Sequence, residues 1–107
     1  VGQEAVDRLR TVDEEAARLR RSPTPENLER YRAAVRAILL EFNRRLYRVK
    51  GGASFARGGR RRFLLIVEAV DRHLEELARL VLDREGDRLA LVARLDEIRG
   101  LLVDLYR

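Results

Sequence analysis

The stretch Thr24-Pro25-Glu26-Asn27-Leu28-Glu29-Arg30-Tyr31-Arg32-Ala33-Ala34-Val35-Arg36-Ala37-Ile38-Leu39-Leu40-Glu41-Phe42 decides the fold class. Thr24 offers a side-chain oxygen to the free N–H groups of a helix start. Pro25 suits the first helical position, where no N–H is needed, and Glu26 complements the positive end of the helix dipole. Leu28, Tyr31, Val35, Ile38, Leu39 and Phe42, continued by Leu46 and Val49, then recur at spacings of three and four. That period puts them on one face of an α-helix and excludes a strand. The stripe is sustained for about 25 residues, roughly 37 Å at 1.5 Å per residue. The spacing predicts a helix over 25–49.

Working toward the N-terminus, Ser22-Pro23 ends an earlier helix, because proline and the residue before it both resist helical continuation. That helix is predicted over about 4–21, with Ala5, Leu9, Val12, Ala16 and Leu19 on its apolar face. Its thin, alanine-rich stripe predicts the least firmly held element.

Toward the C-terminus, Gly51-Gly52-Ala53-Ser54-Phe55-Ala56-Arg57-Gly58-Gly59 holds four glycines in nine residues and reads as a loop over 50–59. A third helix is predicted over 60–84, burying Phe63, Ile66, Val67, Val70, Leu74, Leu77 and Val81. Gly86 reads as its C-cap and Asp87 as the N-cap of a last helix over 87–106, lined by Leu91, Leu95, Ile98, Leu102 and Leu105. Short connections between long helices force antiparallel neighbours. The expected fold is therefore an all-α, up-and-down antiparallel helical bundle of three to four helices, one domain over 1–107.

The 107 residues suit a single core, and 46% apolar with 38% charged suits a globular domain rather than a disordered chain. No apolar run reaches the roughly 18 residues of a membrane span, and the charged first twenty residues do not read as a signal peptide. The chain opens on Val1 rather than Met, which leaves room for a preceding N-terminal piece. The absence of cysteine excludes disulfides, thiolate metal sites and cysteine nucleophiles, and a cytoplasmic setting is expected.

The net charge is +5, and of 23 basic residues only Lys50 is lysine. Such a bias is characteristic of a GC-rich coding background, so the position of the charge says more than its type. Residues 1–43 carry eight Arg against eight acids, and residues 63–107 carry seven Arg against ten acids. Residues 44–62 carry Arg44, Arg45, Arg48, Lys50, Arg57, Arg60, Arg61 and Arg62 with no acid at all. In a helical hairpin these eight gather at one pole, beside a helix start whose free N–H groups also favour an anion. Three arginines there would oppose the helix dipole, a local cost that points to use. The pole is expected to engage an acidic partner, either nucleic acid or an acidic protein face, and Tyr47 and Phe55 are candidates for stacking on bases.

Catalysis is not expected. His73 is the only histidine, it borders the core stripe, and no partner that would orient it is evident. Asp71 and Glu75 form an i,i+4 pair that reads as a solvated helix face rather than a cation site. No phosphate-binding loop, zinc-protease or nucleophile-elbow motif occurs, and no metal or cofactor is expected. The alternative function is a structural homo-oligomer, built on apolar residues outside the core stripes. Those are Leu40 and Tyr47 on the second helix, Leu65 on the third, and Leu89, Val92 and Val103 on the last. Gly100 inside the last helix is consistent with a close helix crossing there.

Phe63-Leu64-Leu65-Ile66-Val67-Glu68-Ala69-Val70-Asp71-Arg72-His73-Leu74 and Leu95-Asp96-Glu97-Ile98-Arg99-Gly100-Leu101-Leu102-Val103-Asp104-Leu105-Tyr106 resemble the YaaR-like family of small bacterial proteins of unknown function. Asn27–Arg36 and Ser54–Arg62 are similar too, so the resemblance covers about 26–107. It implies a cytosolic helical protein and supplies no catalytic or ligand residue. Relatives tend to be encoded among DNA replication and nucleotide-signalling genes, an association without a mechanism.

Overall fold

The computed structural model describes residues 2–48, 53–83 and 85–107, with the side chains of 48 and 53–58 outside the description. Its elements are α1 (Gln3–Arg21), α2 (Pro25–Arg48), α3 (Ala53–Leu82) and α4 (Arg88–Leu105), with no strand among the described residues. The helix starts behave as their residues dictate. Thr24 Oγ1 accepts from the Asn27 N–H at 3.1 Å, and Asp87 Oδ1 accepts from the Leu89 N–H at 2.9 Å. Gly86 is required for space: a Cβ there would meet the Leu80 carbonyl oxygen at 2.5 Å.

Each helix packs on the next in sequence, and α4 returns to α1 to close a four-helix ring. Side-chain pairs give the register. Glu15 meets Arg30, Phe42 stacks on Phe63, Arg62 reaches the Asp104 carbonyl, and Asp13 meets Arg99. Every neighbouring pair therefore runs antiparallel, in a rod 51 × 25 × 19 Å. The core is the predicted one: Val12, Leu19, Leu28, Tyr31, Val35, Ile38, Phe63, Val70, Leu74, Leu77, Leu91, Leu95, Ile98, Leu102 and Leu105 are all buried. Burying each large apolar side chain stabilises the fold by about 1.5–3 kcal/mol, which is why the 3.6-residue period outweighs local detail.

One expectation needs correction. The glycine-rich loop is far shorter than 50–59, because α3 begins at Ala53. Continuing the helix through Gly59 costs about 1 kcal/mol per glycine, yet it costs no steric strain and sets Gly59 against the α2 side chain Leu46. The predicted limits of 49 for the second helix and 84 for the third fall on residues outside the description. α1 packs on α2, burying Ala5, Val12 and Leu19, and has only a sparse seam with α4. Along that seam Ala16 and Ala17 leave a crevice of about 240 Å³, spanned by Arg99, which donates to Asp13 at 2.8 and 3.2 Å.

Candidate functional site

The end of the rod where α2 finishes and α3 and α4 meet is held by three aromatic rings. Phe42 lies parallel to Phe63 with centroids 6.1 Å apart, and Tyr106 meets Phe42 edge-on at 5.5 Å. Burial pushes the Tyr106 hydroxyl up from its ordinary pKa. This lock fixes the helices that carry the basic residues.

Arg44, Arg45, Arg60, Arg61 and Arg62 come together at this end, all exposed. They are not equivalent. Arg44 and Arg45 both lean toward Glu41, at 4.0 and 3.8 Å. Arg62 donates to the Asp104 backbone carbonyl, which also accepts from the Arg107 N–H at 3.3 Å. Arg60 lies over the Tyr47 ring, 4.7 Å from its centroid. Arg61 meets no carboxylate within salt-bridge distance among the described residues. Lys50 and the side chains of Arg48, Arg57 and Phe55 lie outside the described residues. Contrary to expectation these arginines do not stand at a helix start: with α3 beginning at Ala53, Arg60–Arg62 lie two turns inside the helix, where the dipole neither opposes nor uses them.

Of the apolar surface among these arginines, sequence reasoning named Leu40, Tyr47 and Leu65 and missed Leu64. Leu64 is 57% exposed, beside Leu65 at 61%, with Leu40 at 58% and Tyr47 at 66% on α2. Helical spacing sorts them. Arg36 of α2 and Asp71 of α3 share one groove. Leu40 and Tyr47 follow on Arg36's flank, while Leu64 and Arg60 follow on Asp71's. Leu65 shares a shallow depression with Leu64, Arg60 and Glu68 and also lines an open groove of about 440 Å³ between α3 and α4, with Arg61, Ile66 and Leu101. A signal for Leu64 was present: it stands one position after Phe63 and off the core stripe.

The other candidate positions resolve differently. Val92 lines the α1–α4 seam, and Val103, eleven residues on along the same flank, is half-buried as well. The apolar character of α4 on several sides thus reflects its two neighbours in the ring. Leu89 is 81% exposed, at the far end of the rod. Gly100 makes no close helix crossing within the chain: a Cβ there meets nothing within 4 Å. His73 has partners after all. Arg94 donates to its Nδ1 at 3.1 Å, which leaves the proton on Nε2, 3.9 Å from Glu97. Asp71 and Glu75 line the groove that Arg32 and Arg36 share, so arginines from α2 supply the positive charge beside them. No group of three His, Cys, Asp or Glu side chains could hold a metal ion among the described residues, and no helix is long and apolar enough to cross a membrane.

The sequence matches, over residues 2–106, the family described as "Protein of unknown function (DUF327)". The chain belongs to the DUF327 family. The crystal structure of the DUF327 protein TM1646 from Thermotoga maritima is similar with a TM-score of 0.81. It is 32% identical, and the match covers 98% of this chain and 86% of that one. Membership in DUF327 is consistent with the YaaR-like resemblance. No curated protein matches the chain.

Proposed function

We propose that this DUF327 protein is a non-enzymatic interaction module whose basic end binds an acidic, partly apolar segment of another protein. The observation that carries the reading is the interleaving of Arg60 and Arg61 with exposed Leu40, Tyr47, Leu64 and Leu65. A nucleic-acid phosphate backbone offers nothing apolar to meet four large hydrophobic side chains, whereas an acidic amphipathic protein segment answers both features. Charge steers the encounter and the leucines supply the desolvated contact. The open groove beside Arg61, which meets no carboxylate within salt-bridge distance among the described residues, favours the same reading.

Capture from native lysate tests it. A protein bound by the wild-type chain should survive nuclease treatment and be lost from an Arg60→Glu variant that folds normally by circular dichroism. Loss of the captured protein on nuclease treatment would replace this reading with nucleic-acid binding.

A further inference from the structure

We propose that the outward face of α3 and α4 is a self-complementary surface that pairs two copies of this chain. The face has two halves. On α3, Arg61, Leu65, Glu68 and Arg72 follow one another at helical spacing, and all four are exposed. On α4, Ala93, Glu97 and Gly100 are exposed at the same spacing, followed by half-exposed Asp104, with Asp96 alongside. The α3 half is basic and the α4 half wholly acidic. The two shallow depressions on this face share Leu101 and Asp104, so the surface is continuous.

Register decides what such a surface meets. Arg62 lies level with Asp104, and His73 lies level with Arg94 and Glu97. Leu65 therefore stands level with Leu101 and Gly100, and Arg61 level with Asp104. A two-fold axis running along the rod between α3 and α4 lays the α3 half of each copy over the α4 half of the other without changing level. Arg61 then faces Asp104, Arg72 faces the Asp96–Glu97 pair, and Leu65 faces the place where Gly100 has no side chain. Glu68 is mismatched, and Arg62, which lines the same groove and donates to the Asp104 carbonyl, comes near its own copy across the axis. Twofold interfaces are self-complementary in this sense, each patch meeting its counterpart twice.

Gly100 is the independent observation. An exposed glycine in mid-helix is about 1 kcal/mol worse than alanine, and nothing within 4 Å of its missing Cβ requires it in the single chain. A notch that accepts the partner's Leu65 gives it a role. This surface takes Arg61 and Leu65, which share a shallow depression with Arg60 and Leu64, while Leu40 and Tyr47 on the α2 side lie clear of it; sedimentation of the chain alone reads the pairing apart from the binding of any other protein.

Sedimentation equilibrium of the full chain at rising concentration tests the pairing. A dimer is expected, weakened at least tenfold by Arg61→Glu or by Asp104→Arg alone and restored when both are present. Gly100→Gln should leave the helical content intact and weaken the dimer, while Leu89→Ser should not affect it. A chain that stays monomeric at high concentration overturns the proposal. So does a dimer that is indifferent to both charge reversals.

Discussion

Glu15 is the one charged residue buried among the described residues, and it ties α1 to α2. Its carboxylate accepts from Arg30 Nε at 3.0 Å and from Arg18 Nε at 3.0 Å. Burial alone would raise its pKa, but the hydrogen bonds and charges of Arg30 and Arg18 outweigh that and hold it below the ordinary carboxylate value. A folded-state pKa below the unfolded one gives stability that is complete above the unfolded value and lost as pH falls through the folded value. Glu15→Gln should therefore cost about 1–2 kcal/mol at neutral pH, a figure kept small because both arginines are half exposed. Urea unfolding as a function of pH should show the gap from wild type closing below about pH 4; a constant gap would mean the charge is not what matters. Tyr31 is the opposite case. It is buried, its hydroxyl has no partner among the described residues, and burial followed by the nearby Asp13 and Asp96 raises its pKa well above normal. Tyr31→Phe should leave stability unchanged or slightly higher. Tyr31→Ala should cost about 3–5 kcal/mol, as other large-to-small aromatic changes do. A Tyr31→Phe loss approaching that size would reveal a partner for the hydroxyl.

At the scale of elements, Gly59→Ala is the sharpest test of where α3 begins. Its Cβ would lie 3.6 Å from Leu46, an ordinary contact. Inside a helix the change should raise stability by about 0.5–1 kcal/mol, read as a higher denaturant midpoint; a loss would restore the loop that the glycines suggest. The four helices and nearly all their buried faces were legible because a 3.6-residue stripe such as Leu28–Phe42 integrates many residues. The start of α3 was not, because it turns on a few tenths to one kcal/mol per glycine, which packing by Phe63 and Leu46 can override. The same limit explains Val92 and Val103. Their apolar character was plain, but only the ring closure of α4 on α1 tells that it is already used.

For the whole molecule, the clustering of Arg44, Arg45, Arg60, Arg61 and Arg62 at one end was legible from a hairpin alone, because antiparallel helices bring residues 44–48 and 60–62 together. Their individual roles were not. Arg62 spends its guanidinium on the end of α4, and Arg44 and Arg45 share Glu41, relations set by sequence-distant or local geometry that charge counting does not resolve. What remains for a partner is a mixed surface, arginine beside leucine. The most direct test is the affinity of the captured protein partner for wild type, Arg60→Glu and Leu64→Ser across a salt series. Binding should weaken with salt for wild type, lose much of that dependence in Arg60→Glu, and fall by a similar factor at every salt concentration in Leu64→Ser. Wild-type affinity in Leu64→Ser, or affinity indifferent to salt, would contradict an interface built from both.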